Sequence, residues 1–164
     1  MPVKTHESPW ASAFAPRAAG ERRYWLVKSE PTTYSFDDLM ASPNKTTNWD
    51  GIRNPVARNF MRDGMQVGDR VFFYHSSVNP QVIVGVCEVV RAGYPEADDP
   101  SWFMVDLKAI APLPRPVTLA EIKKLPQLAN MPLVRIGRLS VSPVTATEWK
   151  TICELGGAPA ALAK

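Results

Sequence analysis

Proline recurs sixteen times in 164 residues. Each one fixes φ and removes a backbone donor, which favours loops and short elements over a helical bundle. Between the prolines, β-branched and aromatic runs mark strands. Tyr24–Glu30 reads as a first strand, stopped by Pro31. Arg70–Ser76 and Gln81–Val90 flank Asn79-Pro80, which predicts an antiparallel hairpin. Gly85 inside the second run predicts a bulge or a close backbone approach. Trp102–Ile110 is a further strand ended by Pro112, Pro114 and Pro116, and Arg138–Ser142 alternates as a last one. Ser42–Thr47 reads as a polar loop. Helices begin where caps stand: Ser35 before Phe36–Met40, and Thr118 with Glu121 before a helix to Lys124. Thr147-Glu148-Trp149 opens a final helix that ends at Gly156-Gly157. The order β-α-α-β-β-β-α-β-α predicts an α+β fold with a small, strongly curved or barrel-like sheet.

The length suits one domain with a real core. Three segments are expected: a flexible N-terminal extension over 1–22, a domain over 23–157 and a frayed tail over 158–164. Trp10 and Phe14 are the residues able to dock part of the extension. Of 19 basic and 16 acidic residues, four and two lie in 1–23, leaving 15 and 14 in the body. A blanket electrostatic nucleic-acid binder is therefore not expected, and any phosphate contact must come from a local patch. Cys87 and Cys153 sit in apolar contexts and read as reduced core thiols. No apolar run reaches the roughly 20 residues of a membrane span, and the N-terminus lacks a secretory apolar core. These missing signals fit a bacterial cytoplasm, or a nucleus if the source is eukaryotic.

The most organised stretch is Trp49–Arg62. Asp50-Gly51 signals a turn, Asn54 can cap a helix, and Pro55 suits its first position. On a helical wheel Val56, Ala57, Phe60 and Met61 share one arc, while Arg58, Asn59, Arg62 and Asp63 share the opposite one. The second arc is either a solvated charged face or a partner for phosphate or carboxylate. No metal site is expected, because the chain has only His6 and His75 and its two cysteines are 66 positions apart. There is no phosphate-cradling glycine loop and no nucleophile elbow. What does accumulate is a set of flat rings (Trp25, Trp49, Tyr74), polar groups near element ends (Ser29, Glu30, Asp50, Asn54, His75, Ser76) and cations (Lys28, Arg53, Arg58, Arg62). A pocket for an extruded nucleobase needs these parts. The plainer reading of the same residues makes the rings core and the polar groups caps, with Lys28 and Glu30 as an ion pair.

Tyr24-Trp25-Leu26-Val27-Lys28-Ser29-Glu30-Pro31, Trp49-Asp50-Gly51-Ile52-Arg53-Asn54, Ala57–Arg62, Gly68-Asp69 and Phe72–Ser76 closely resemble the EVE domain. Gly85–Val90, Pro100-Ser101-Trp102 and Arg138–Val141 fit as well. The resemblance implies a PUA-like fold: a curved, mostly antiparallel β-barrel with short surrounding helices. It also implies a non-catalytic reader of nucleic acid, similar to the YTH readers of methylated adenine, without cofactor or metal. Its ligand would be modified DNA or RNA, with modified cytosine such as 5-methylcytosine in DNA favoured. Carried over, the base pocket would draw on Trp25, Lys28, Ser29, Glu30, Trp49, Tyr74, His75 and Ser76. Asp50, Gly51, Arg53, Asn54, Arg58, Asn59 and Arg62 would hold the loop, the helix and the nucleic-acid backbone. A monomer away from membranes is expected. Two other classes compete: a scaffold for a small ligand or a protein, and an enzyme on modified nucleotides using Glu30 or His75 as general base.

Overall fold

The computed structural model describes residues 10–163 and contains one mixed sheet. Its strands are β1 (Tyr24–Ser29), β2 (Thr46–Trp49), β3 (Arg70–His75), β4 (Val82–Pro95), β5 (Phe103–Thr118) and β6 (Val141–Val144). Their order across the sheet is β2-β5-β4-β3-β1-β6. β1 and β3 run parallel, with Trp25 opposite Val71 and Ser29 opposite His75, and the other pairs are antiparallel. The helices are α1 (Ala11–Phe14), α2 (Phe36–Ala41), α3 (Pro55–Asn59), α4 (Leu119–Lys123), α5 (Pro132–Arg135), α6 (Ala146–Leu155) and α7 (Ala160–Ala163). The architecture is α+β as expected. The sheet stays open, with β2 and β6 as its edges, so its likeness to a barrel is one of curvature and not of closure.

Alternation along β1 and β3 decides how the layers form. Trp25 and Val27 point to one side with Val71 and Phe73; Leu26 points to the other with Phe72 and Tyr74. All of these are fully buried, so both sides of the sheet need cover. Ala13 of α1, Phe36 and Leu39 of α2, and Ala57 of α3 cover the Trp25 side. Ile122 of α4, Leu133 of α5, Trp149 and Ile152 of α6, and Leu162 of α7 cover the Leu26 side. There the Trp149 ring stacks 3.7 Å from Phe72 and 4.9 Å from Tyr24. Gly85 meets its expectation in both senses. The ladder shifts register beside it, and a Cβ there would collide with the Phe36 ring. Both cysteines are buried and unbridged.

Several elements differ from the sequence reading for identifiable reasons. Thr46–Trp49, placed in part in a polar loop, is an edge strand paired to β5, where β-branched threonines fit. β5 does not stop at Pro112; it continues to Thr118. Pro112, Pro114 and Pro116 occupy alternate positions, so their missing donors fall along one side of a stretch that β2 no longer flanks. Val56, assigned to the packed arc, is exposed. After α3 the chain widens into a π turn over Phe60–Gly64, which buries Phe60 and Met61. The last strand begins at Val141, and Thr145, with Glu148, caps α6.

The terminal segments also pack. The described part of the expected flexible extension, Trp10–Arg22, lies against the body, while 1–9 fall outside the described residues. Trp10 and Phe14 contact the Phe60 ring at 5.2 and 5.6 Å. Arg17 grips the buried Asp69 carboxylate with two bonds of 2.6 and 2.8 Å. Asp69 also accepts from the Trp25 indole N–H at 2.8 Å and from the Arg23 and Gln66 backbone at 3.1 and 3.0 Å. The expected frayed tail instead includes α7, whose Leu162 carbonyl accepts the Trp149 indole N–H at 2.8 Å. In each case a buried indole needed a partner for its donor. Asp69→Ala is expected to cost about 3–5 kcal/mol, because it removes the carboxylate partner of the half-buried Arg17 and leaves the buried Trp25 indole donor unpaired. Asp69→Asn should cost less, since it keeps an acceptor. Urea unfolding checks both, and an unchanged midpoint in Asp69→Ala would contradict the role given to this carboxylate.

Candidate functional site

The parallel pair β1 and β3 ends level, at Ser29 and His75. A cavity of about 460 Å³ opens there, between the end of β1 and the end of β2. Lys28, Ser29 and Glu30 form one wall, and Trp49, Asp50 and Ile52 form another. Trp49 keeps 8% of its surface exposed. Edge-on contacts to Tyr34 at 6.4 Å and Phe73 at 5.4 Å set its indole at the cavity wall. Tyr34, which also lines the cavity, is fixed in turn. Its carbonyl accepts from the Ser29 hydroxyl, and its own hydroxyl lies 2.7 Å from Ser42 Oγ.

Of the eight residues expected in a base pocket, the structure gathers Lys28, Ser29, Glu30 and Trp49 around this cavity. Ser76 follows β3 and lines an adjoining cavity instead; its N–H donates to the Ser29 carbonyl at 2.9 Å. His75 lies at the strand end, where its Nε2 accepts the Phe36 N–H at 3.1 Å. Burial pushes the imidazole pKa down, opposed in part by the charge of Asp37. Trp25 and Tyr74 are corrections. Neither has exposed surface. Trp25 is the second residue of β1, near the end far from Ser29, and its indole serves Asp69. Tyr74 points into the core on the Leu26 side and donates to Gln81 at 2.8 Å, and burial pushes its pKa up to about 12. Lys28 is half-buried, its Nζ donates to the Gly137 carbonyl at 3.0 Å, and burial pushes its pKa down.

The loop after β2 is held from outside the stretch that contains it. Gly51 has φ +77°, a left-handed conformation that glycine tolerates. Its N–H donates to Glu96 at 3.0 Å, and Arg53 grips the same carboxylate with bonds of 2.9 and 2.8 Å. Arg53 thereby keeps the Glu96 carboxyl below the usual carboxylate range. Asn54 caps α3 as expected, accepting from Val56 and Ala57 at 2.8 and 3.0 Å. Arg53 and Arg58 both lie against the Trp102 ring, at 5.1 and 5.4 Å. Arg58 also donates to Asn59 at 3.1 Å and to the Ser101 carbonyl at 3.2 Å. Arg62 pairs with its neighbour Asp63 at 2.8 Å. Sequence reasoning missed Tyr34, Glu96 and Trp102. Trp102 was visible as an aromatic beside an acidic loop; its pairing with arginines more than forty positions away was not.

His75 is expected to make stability depend on pH. Its folded pKa lies below the ordinary 6.5, so its contribution is complete above about pH 6.5 and declines as pH falls toward the folded value. Protonation would also remove the acceptor for Phe36 N–H. Urea midpoints at about pH 7.5 and 5.5, a window above most carboxylate titrations, are expected to fall in the wild type and to fall less in His75→Gln. Equal falls in both would contradict the assignment.

The EVE domain profile matches residues 23–155. Human thymocyte nuclear protein 1 is 35% identical over 165 residues, spanning 80% of this chain and 73% of its own. A protein from Rhodopseudomonas palustris, solved by NMR, is 47% identical, with 82% of this chain and 93% of its own covered, at a TM-score of 0.77. The crystal structure of human thymocyte nuclear protein 1 in complex with DNA containing 5-methylcytosine has a TM-score of 0.77 and 34% identity. It covers 84% of this chain and 99% of the solved one. The match runs from β1 to the end of α6, and the chain belongs to the EVE domain family.

Proposed function

We propose that this chain is a nucleic-acid-binding module that accepts one modified base, with 5-methylcytosine in DNA the favoured ligand, in the cavity beside Trp49. The cavity at the ends of β1 and β2 carries this reading. Its volume of about 460 Å³ falls within the range of about 300–1,000 Å³ usual for small-molecule sites. One wall is an indole and another is a cluster of polar and charged groups. The relative solved with 5-methylcytosine DNA has the same fold and supports the choice of ligand.

A base leaves its stack at a cost of a few kcal/mol and is then read by stacking and by its Watson–Crick edge. In this reading Trp49 supplies the flat surface. Glu30 and Asp50 are acceptors suited to the exocyclic amine of cytosine. Ile52 and the indole offer apolar contact for a methyl group. Arg53 and Arg58 face the backbone, while Gly51, Asn54, Asn59 and Arg62 hold the loop and helix that present them. The module acts by binding, as a monomer in a bacterial cytoplasm. An enzymatic role for His75 is disfavoured because its Nε2 lone pair already accepts from Phe36.

Trp49→Ala is expected to weaken binding to a 5-methylcytosine oligonucleotide by about 1–3 kcal/mol, or about 5-fold to 150-fold, and to erase its preference over the unmodified one. Arg58→Ala should weaken both oligonucleotides alike. Trp25→Ala should lower stability instead of selectivity. Fluorescence anisotropy at fixed salt measures the binding effects. Equal wild-type affinity for modified and unmodified oligonucleotides would overturn the reading.

A further inference from the structure

A second cavity, of about 430 Å³, adjoins the one beside Trp49. Lys28 and Glu30 line both, so the two chambers meet across the last residues of β1. Ser76, Gln81, Arg138 and Ser140 form much of the remaining wall. Unlike the first chamber it offers no aromatic ring. It offers hydroxyls, an amide and two cations, a set suited to phosphate oxygens and poorly suited to a base.

The two cations are available. Lys28 Nζ makes one protein hydrogen bond among the described residues, to Gly137, and an ammonium has three donors. Arg138 is exposed and has no ion pair among the described residues. The carboxylate in this chamber, Glu30, accepts from Ser77 Oγ at 3.3 Å. A base turned out of its strand remains tethered to a phosphate on each side. Arg58, which has no ion pair among the described residues, provides cationic ground beyond the loop wall of the Trp49 cavity. Lys28 and Arg138 provide it beyond the β1 wall.

We propose that the second cavity is a phosphate subsite: Lys28 and Arg138 hold the backbone phosphodiester next to the nucleotide whose base enters the Trp49 cavity. This assignment rests on the base-reading proposal for its location, and its test is separable from that proposal. The strand then crosses the protein from the Trp102 side to the Arg138 side, with the extruded base between two clamped phosphates. Arg138 carries no information about base identity. It sets affinity and its salt dependence.

The test is a salt titration of the dissociation constant for modified and unmodified oligonucleotides, using the wild type, Arg138→Gln and Lys150→Gln. Lys150 is exposed on α6 and lines neither cavity. Arg138→Gln is expected to reduce the slope of log K against log salt by about 0.7–0.9, the loss of one phosphate contact, and to weaken both oligonucleotides alike. Lys150→Gln should leave the slope unchanged. A wild-type slope in Arg138→Gln, or an equal loss in Lys150→Gln, would overturn the subsite. Inorganic phosphate separates the two sources of this chemistry. Competition no stronger than chloride at matched ionic strength supports the phosphodiester. Stronger competition that disappears in Arg138→Gln makes it a free-phosphate site and overturns the backbone assignment. A wild type without base preference would remove the base-reading proposal and leave the slope result intact.

Discussion

The parallel pairing of β1 with β3 is the constraint on which the rest of this structure depends. Two parallel neighbours cannot be joined by a tight turn; the chain must cross over one face of the sheet to begin the second strand. Here residues 30–69 make that crossing and contain α2, β2 and α3. The same segment contributes Glu30, Tyr34, Trp49, Asp50 and Ile52 to the cavity, and then Arg53 and Arg58 beside it. The connection demanded by topology is thus also the element that forms the candidate site. Asp69, at the end of the crossing, fastens it to the N-terminal segment through Arg17 and to β1 through Trp25.

Three tryptophans show how position, not residue type, separates scaffold from site. Trp25 and Trp149 lie on opposite sides of the sheet without exposed surface, and each donates its indole N–H to a buried oxygen. Trp49 ends an edge strand, touches its neighbours edge-on and keeps some surface open. The difference follows from the ends at which they sit. A strand rises about 3.3 Å per residue, which puts Trp25 about 13 Å from Ser29. One strand cannot deliver both residues to a single cavity.

Strand rise alone separates Trp25 from Ser29, and both positions are plain in the sequence. The β3–β4 hairpin, the caps at Ser35, Asn54 and Thr118, and the approach at Gly85 were legible because each rests on local spacing. β2 was harder to see: Thr46-Thr47-Asn48 is polar, and only its pairing to β5 makes it a strand. The run past Pro112 was hidden for a related reason, since proline is tolerated only where one edge lacks a partner. Lys28, Ser29, Glu30, Trp49 and Asp50 were legible as residues of one cavity because they lie where strands stop. The grip of Glu96 on Gly51 and Arg53 was not, because it joins loops 43 and 45 positions apart.

In the proposed reading Trp49, which keeps 8% of its surface exposed where Trp25 and Trp149 keep none, meets an extruded modified base. The most direct measurement follows the indole N–H resonances of ¹⁵N-labelled protein during titration with a 5-methylcytosine duplex and its unmodified counterpart. The Trp49 resonance should move with the modified duplex and much less with the unmodified one. The Trp25 and Trp149 resonances should hold still in both. A Trp49 resonance that stays in place while the modified duplex binds would contradict this reading.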